Sequence, residues 1–193
     1  MTVDEIVSSL THWIDAVPAD EAADRAEELL ERYLTGAHSP SGDVTARDFA
    51  RVSVHEASHA AVAQASGLNP EFAVVNADAS GAVKYARDDG GVDRIMATIV
   101  TDLAGIVGEL FTDSGTAARR WSLANSFDVH QARAGIDAFR AAAPEWRVPT
   151  RTFVVVALSA VYARWPAIEA IARVLRERRE IAAEEIDSLC RLQ

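Results

Sequence analysis

Hydrophobic residues recur at helical spacing through the first part of the chain. Apolar positions between residues 3 and 17 lie three or four apart and predict one helix, and the pattern resumes in a second helix that starts at Asp20. The segment GAHSPSGD that follows is rich in Gly, Ser and Pro, as linkers are. The pattern therefore predicts an N-terminal helical hairpin and linker over residues 1–44, appended to a domain over residues 45–193.

A longer helical pattern runs through the segment TARDFARVSVHEASHAAVAQASGLNP. Thr45 and Asp48 have the spacing of a capping box, alanine is frequent, and Gly67 lies shortly before a proline that cannot continue a helix. Apolar positions along one side of the segment predict that the helix is buried. They are Phe49, Val52, Ala60 and Ala63.

Two short runs after this helix, EFAVVNAD and GAVKYARD, have the composition of β-strands and predict one small sheet with no further convincing strand. A helix follows over residues 92–111, where Gly105 and Gly108 allow a neighbouring helix to approach closely. Residues 112–125 are polar and predict an irregular connection. Further helices are predicted over residues 126–142, 150–165, 167–180 and 183–191. The predicted fold class is mainly α with a small β-sheet, that is, α+β.

Composition narrows the range of partners and compartments. A chain of 193 residues that is 49% hydrophobic can bury a full core, and a net charge of −10 disfavours a surface that binds nucleic acid. The longest apolar run, residues 153–162, is too short to cross a bilayer, and no signal peptide is evident, so we expect no membrane partner. A single cysteine, Cys190, fits a reducing compartment, and we expect a cytoplasmic protein.

Residues 55–59 read HEASH, a match to the HExxH motif. On a helix, His55 and His59 lie four positions apart on one face and can bind the same zinc ion, while Glu56 is placed to take a proton from a water bound to the metal. Two surface histidines on an amphipathic helix are the plain alternative, but they would not need a glutamate directly after the first. The motif therefore favours a zinc hydrolase.

Catalytic zinc usually has three protein ligands, so a third must be found. Glu109, in LAGIVGELF, would be the ligand if a glutamate on the following helix completes the site. Asp128 and His130, in LANSFDVHQAR, are the other candidates. A helix capped by Asn125 or Ser126 places Asp128 in its first turn and turns His130 about 200° away, so one helix cannot offer both to one metal.

Three segments resemble the zinc peptidase domain of the FtsH and paraplegin type. They are HEASHAAVA, LAGIVGELF and ANSFDVHQAR, and the resemblance extends over roughly residues 45–190. It implies that Asp128 is the third zinc ligand and that a peptide substrate lies extended along an edge of the small sheet. The backbones of Gly81, Ala82 and Val83 are candidates for pairing with that peptide.

Some features of the chain depart from this family or go beyond it. Ser58 replaces the usual Gly inside the motif, a change between small residues that leaves the ligands in place. Glu109 and Asp102 are possible hydrogen-bond partners for a ligand histidine. Residues 1–44 are too few to encode the ATPase module and membrane anchor that precede the domain in that family, so we expect no unfoldase within this chain.

The sequence thus predicts an ATP-independent zinc metalloendopeptidase that acts on short or unfolded peptides, with a separate partner required to deliver any folded substrate. The alternative is a catalytically inactive module of the same fold, which keeps zinc as a structural ion and acts as a protein-interaction or regulatory protein.

Overall fold

A computed structural model of the protein describes residues 2–34, 45–85, 90–112 and 126–192. Within these ranges the chain is mainly helical and carries one small antiparallel sheet, which confirms the predicted α+β class. The predicted linker GAHSPSGD and nearly all of the predicted irregular connection lie outside the described residues.

Every helix that the hydrophobic pattern predicts is present in the described residues, with ends shifted by a few positions. The helices are α1 Val3–Ala16, α2 Ala22–Leu34, α3 Ala46–Ala65, α4 Val92–Thr112, α5 Phe127–Ala142, α6 Thr150–Ala163, α7 Trp165–Arg178 and α8 Ala183–Arg191. The strands are β1 Phe72–Val75, β2 Gly81–Lys84 and β3 Glu180–Ala182, and a 3₁₀ turn spans Pro144–Trp146.

Helix α3 lies at the centre of the fold and packs on α4, α7 and the sheet. It begins with the predicted capping box, in which the Asp48 N–H donates to Thr45 Oγ1 at 3.2 Å and the Thr45 N–H donates to Asp48 Oδ2 at 3.0 Å. Beyond its C-terminus Gly67 has a φ of 71°, a left-handed conformation that favours glycine. Nearly all of the second half of α3 is buried.

Two glycines of α4 let that helix cross α3 at close range, as predicted. A Cβ atom on Gly105 would lie within 3.0 Å of ring atoms of both His55 and His59. A Cβ on Gly108 would likewise meet the hydroxyl of Ser58. The absence of a side chain at Gly105 therefore makes room for the two imidazole rings, and its absence at Gly108 makes room for Ser58.

The prediction of only two strands is wrong, because β3 forms a third. The sheet order is β2-β1-β3, with both pairs antiparallel and Ala73 of β1 opposite Ile181 of β3. Residues 180–182 are too few to show a strand pattern in the sequence. They form a strand because β1 offers a second edge, on which the Val75 N–H donates to the Arg179 carbonyl at 2.8 Å.

The turn into β3 depends on Arg179, which has a φ of 70° although it is not glycine. Its guanidinium carbon lies 3.5 Å from the centroid of the Phe49 ring, a cation–π contact that offsets part of the cost of the left-handed backbone. Pro166 lies in the first turn of α7, where its missing N–H costs nothing. Helices α6 and α7 therefore divide at Arg164.

The two N-terminal helices pack mainly on α5 and α6 rather than on each other. Their inward side chains belong to the same hydrophobic core as α3 and α4. Polar groups add to this attachment: the buried hydroxyl of Thr150 donates to Asp15 Oδ1 at 2.6 Å and accepts from Arg140 Nη2 at 3.0 Å. The division of the chain at residue 44 stays a prediction.

Among the described helices, α4 alone has both the length and the mean hydropathy of a membrane span, with a value of 1.5, and 67% of that window is buried inside the fold. Helices α6 and α7 reach the same threshold only as a pair, and they bend by 72° where they meet. Core helices of this composition are common, so the apolar character of α4 is explained by its position between α3, α5 and α6.

Candidate metal centre

The fold brings His55, His59 and Asp128 to one point. The histidines lie one turn apart in the middle of α3, and the aspartate lies in the first turn of α5, which has Ser126 as its N-cap. His55 Nε2 is 3.0 Å from His59 Nε2 and 3.0 Å from Asp128 Oδ2, and His59 Nε2 is 3.7 Å from Asp128 Oδ1. One candidate ligand atom from each residue lies within 4.8 Å of the others, so the group could hold a metal ion.

The outer nitrogens of the two rings are already engaged, and their partners can only accept hydrogen bonds. His59 Nδ1 lies 2.7 Å from the backbone carbonyl of Thr101, and His55 Nδ1 lies 2.8 Å from Glu109 Oε1. A carbonyl or a carboxylate requires a proton on the nitrogen that faces it. In the neutral imidazoles both Nε2 atoms therefore carry lone pairs, and these atoms lie 3.0 and 3.7 Å from oxygens of the Asp128 carboxylate.

The distances among the two ring nitrogens and the Asp128 carboxylate are close to those around a small four-coordinate ion. Nitrogen or oxygen atoms bound tetrahedrally at about 2.0–2.1 Å lie about 3.3 Å from one another. The two Nε2 atoms are 3.0 Å apart, His55 Nε2 is 3.0 Å from Asp128 Oδ2, and His59 Nε2 is 3.7 Å from the other carboxylate oxygen, Oδ1. Gly105 contributes to the fit because it leaves the space that the two Nε2 atoms occupy.

Electrostatic interactions favour a cation between these groups. Burial lowers the pKa of His55, but the carboxylates of Asp128 and Glu109 outweigh burial and hold that pKa well above its ordinary value. Burial also lowers the pKa of His59, but Asp128 raises it by more, so the net shift of this pKa is upward. Burial raises the pKa of Asp128, but the two imidazoles bring it well below its ordinary value. Without a metal, the site therefore holds protons that a metal ion can replace.

Glu56 lies beside the three ligand groups and is not one of them. It is 5% exposed, and burial raises its pKa to about 7, although the two histidines counteract part of this effect. Its side chain packs against Gly81 of β2, where a Cβ atom would lie within 3.0 Å of the Glu56 carboxyl. A carboxyl group that can both accept and release a proton near neutral pH thus lies between the ligand cluster and the edge of the sheet.

The structure distinguishes among the remaining sequence candidates. Glu109 contacts His55 through the outer ring nitrogen and is therefore a supporting group in this geometry, not a third ligand. Glu109 also forms an ion pair with Arg51. Its Oε2 lies 3.3 Å from Arg51 Nε, but the two atoms do not have the geometry of a hydrogen bond. Asp102 contacts Tyr85 at 2.6 Å, and His130 is outside the ligand group.

Two contacts of the site, that of Thr101 with His59 and that of Arg51 with Glu109, were not predicted from the sequence. The Thr101 carbonyl is a backbone acceptor, and only the three-dimensional packing of α3 on α4 brings it to His59. Arg51 lies one turn before His55 on the same helix, so its spacing could have suggested a role, but the carboxylate that it approaches lies 58 positions further along the chain.

Strand β2 forms an edge of the sheet next to this cluster. The Asn76 N–H donates to the Ser80 carbonyl at 2.7 Å, and Val75 donates instead toward β3. Opposed residues in an antiparallel pair alternate between hydrogen-bonded and non-bonded, so Ala82 directs its backbone polar groups toward β1. Gly81 and Val83 direct theirs toward the outer side of β2.

Comparison of the sequence with models of known protein families gives no match, and comparison with curated proteins also gives none. The likeness to the FtsH and paraplegin type of domain accordingly stays a prediction that rests on three short motifs. The geometry of the ligand cluster is independent of that likeness.

Proposed function

We propose that the protein is a zinc-dependent metallopeptidase in which His55, His59 and Asp128 hold the ion. The observation that carries this proposal is the proximity of two imidazole Nε2 atoms and one carboxylate, with each outer ring nitrogen facing an acceptor. That arrangement is the usual one for metal-binding histidines, whose second nitrogen donates to a carbonyl or carboxylate.

Zinc is the ion that this donor set suits best. Two imidazoles and one carboxylate are the ligand types of catalytic zinc, and three protein ligands leave a fourth position open for water or substrate. Zinc, when bound, lowers the pKa of a coordinated water to about 7 and polarises a substrate carbonyl.

Glu56 is the proton carrier in the proposed reaction. Its carboxylate accepts the proton of the attacking water, and the resulting carboxylic acid gives that proton to the nitrogen that leaves when the peptide bond breaks. A pKa raised to about 7 by burial suits this exchange, because neither protonation state is strongly disfavoured near neutral pH. A nearby cation favours the carboxylate form, so loading the site prepares Glu56 to act as the base.

A peptide extended along β2 is the substrate that the surroundings suit. The outward backbone groups of Val83 can pair with the peptide backbone, and Gly81 brings the strand directly over Glu56. Ala82, by contrast, uses its backbone groups within the sheet. Pairing of this kind requires an unfolded segment, so we propose short or unstructured peptides as substrates.

The proposal is tested by metal-dependent hydrolysis of an unstructured peptide library, analysed by mass spectrometry. The protein is stripped with a chelator, reloaded with zinc, and compared in both forms with the protein as purified. We expect one zinc per chain, and cleavage that disappears on stripping and returns on reloading. A protein that binds one zinc and cleaves no peptide would instead support the non-catalytic module.

A further inference from the structure

A pocket outside the metal centre lies where α7 meets α3 and α4. Helix α3 contributes Val54 to its lining, α4 contributes Thr112, and one face of α7 supplies the other residues, at positions three or four apart. The pocket has a volume of about 320 Å³, at the lower end of the range of small-molecule sites, about 300–1,000 Å³. None of the three candidate metal ligands lines it.

The inner surface of the pocket is apolar. Ile168 and Ala172 of α7 are buried, and Val54 is 9% exposed. Trp165, at the start of α7, lines the same pocket and is half-buried, and its ring contacts that of Phe111 edge to face, with 5.8 Å between the ring centroids. These side chains favour a ligand with an apolar part, because its burial removes apolar surface from water.

Two cations border the pocket without an ion-pair partner. Arg173 and Arg176 lie one turn apart on α7 with exposed side chains, and neither forms an ion pair within the described parts of the chain. Carboxylates are not scarce, since 29 acidic residues stand against 19 basic ones, and Arg178 of the same helix pairs with Glu185. Both guanidinium groups therefore have donors available for an anionic ligand.

Glu169 distinguishes between the kinds of anion that two guanidinium groups can bind. It lines the pocket four positions before Arg173, a spacing that allows an ion pair within a helix, yet the two side chains do not form one. Two arginines and one glutamate give the lining a net charge of +1. That charge balances a carboxylate, and it is too small for a phosphate monoester, whose second pKa of about 6 makes it largely a dianion at neutral pH.

We propose that this pocket binds a small organic carboxylate, whose charged group contacts Arg173 and Arg176 and whose apolar part lies against Trp165. The proposal does not rest on the peptidase function. Arg176 also lies in the last turn of α7, where the helix dipole favours a cation. The dipole alone would explain Arg176 without a ligand, but it would not explain Arg173, which lies before that turn.

Phenylacetate is the probe for this site, since it joins one carboxylate to one aromatic ring. Binding is followed by NMR through the indole N–H signal of Trp165, which is identified by its loss in Trp165→Phe. Phenylethanol lacks the charge and phenyl phosphate carries a second one, so both are titrated for comparison. A carboxylate can also coordinate zinc, so protein stripped with a chelator is titrated beside the protein as purified.

The variants Arg173→Gln and Arg176→Gln each remove one cation at an exposed position, so both should fold as the wild type does. Each should weaken phenylacetate binding by about tenfold, the effect of one hydrogen bond between charged groups. Arg178→Gln, on the same helix but outside the pocket, is the matched control and should bind phenylacetate as the wild type does. Glu169→Gln should strengthen the binding of phenyl phosphate more than that of phenylacetate.

The proposal predicts saturable binding of phenylacetate with or without metal, and binding of phenylethanol that is weaker by about tenfold or more. Absence of phenylacetate binding at millimolar concentrations, equal binding by the wild type and the two pocket variants, or binding that disappears with the metal would overturn it. Tighter binding of phenyl phosphate than of phenylacetate by the wild type would overturn the assignment to a carboxylate. Since these measurements need no catalysis, they test the pocket even if the protein cleaves no peptide.

Discussion

The candidate metal site depends on which nitrogen of each imidazole carries the proton. Thr101 fixes His59 through a backbone carbonyl, which no side-chain substitution removes. Glu109 fixes His55 through a carboxylate, which can be replaced. The two histidines are therefore open to different tests, since only one of them has a supporting group that mutation can alter.

We expect three grades of effect on zinc affinity. His59→Ala and Asp128→Ala each remove a ligand and should abolish tight binding. Glu109→Gln keeps all three ligands but weakens the orientation of His55, and a loss of about 10–100-fold is expected. His130→Ala, a matched histidine on the same helix as Asp128, should bind zinc as the wild type does.

Competition with a fluorescent zinc chelator measures these affinities. If Glu109→Gln lost zinc as completely as Asp128→Ala, Glu109 would be a ligand in solution. The site would then belong to the alternative arrangement that takes a glutamate from the following helix.

The raised pKa values of His55 and His59 make zinc binding depend on pH in a defined direction. Asp128 stabilises both protonated rings and Glu109 stabilises that of His55, so near neutral pH the metal must displace protons. The affinity for zinc should rise as the pH increases from neutral through the raised pKa values of the two histidines, and it should then level off. Calorimetry in buffers of different ionisation enthalpy should show net proton release at neutral pH that declines at higher pH.

Removal of the Asp128 charge supplies the control for this effect. In Asp128→Asn the rings lose the carboxylate that raises their pKa values, so any residual zinc binding should release fewer protons at the same pH. Release of as many protons as in the wild type would show that Asp128 does not raise the pKa values of these histidines.

Helices α3 and α4 cross closely where Ser58 faces Gly108. Ser58 occupies the motif position where the resembled family has Gly, and its hydroxyl lies where a side chain at position 108 would otherwise project. Gly108 accommodates it, while the Ser58 hydroxyl donates to the Val54 carbonyl at 2.7 Å. The two positions are therefore complementary, one small residue against one with no side chain.

This complementarity predicts strong coupling in a double-mutant cycle. Gly108→Ala alone should destabilise the protein by about 1–3 kcal/mol, because the added methyl group overpacks the crossing against Ser58. In a Ser58→Gly background the same change should be nearly neutral or stabilising, since alanine favours a helix by about 0.8–1.0 kcal/mol over glycine. Denaturant unfolding of the four proteins measures the coupling, and additive effects would contradict the packing described here.

Patterns within single elements were the part of the fold that the sequence predicted well. The long periodicity around HEASH and the capping box at Thr45 specify α3 locally, and the structure agrees. Strand β3 was missed because its three residues form a strand only through pairing with β1, and the left-handed Arg179 that permits it has no glycine signal. Contacts made by backbone carbonyls, such as that of Thr101, leave no trace in the pattern either.

The position of Asp128 shows the same limit within the site. Spacing along the chain left Asp128, Glu109 and His130 open as third ligands, and only the resemblance to a known domain selected among them. The structure brings Asp128 to the histidines because α5 packs on α4, an arrangement between distant segments that local periodicity does not encode.

In the part of the chain that the structure describes, one hydrophobic core includes side chains of the N-terminal helices. Helices α1 and α2 both pack on α5, whose first turn carries Asp128, so the position of the third ligand depends on packing that begins near the N-terminus. A polar contact also joins α5 to α1, because Arg133 Nη1 lies 3.5 Å from the carbonyl of Ile14 at the end of α1.

A substitution in α1 should therefore destabilise the whole protein. Leu10 is fully buried, and Leu10→Ala is expected to lower the free energy of unfolding by about 2–5 kcal/mol. Val3→Ala, on the same helix at a position 61% exposed, should change it little. The temperature at which α3 unfolds should be lower in Leu10→Ala than in the wild type. If only the N-terminal helices unfolded at a lower temperature, residues 1–44 would instead unfold independently.

Glu56 carries the proton in the proposed reaction at the zinc site without binding the metal, and the Glu56→Gln variant is the sharpest test of this role. The amide keeps the size and position of the side chain but cannot accept the proton, so the variant should retain one zinc per chain and the wild-type melting temperature. Its rate of peptide hydrolysis should fall by about a hundredfold or more. Glu177→Gln, the same change at an exposed site on α7, should leave the rate unchanged. Hydrolysis by zinc-loaded Glu56→Gln at the wild-type rate would contradict the role proposed for Glu56.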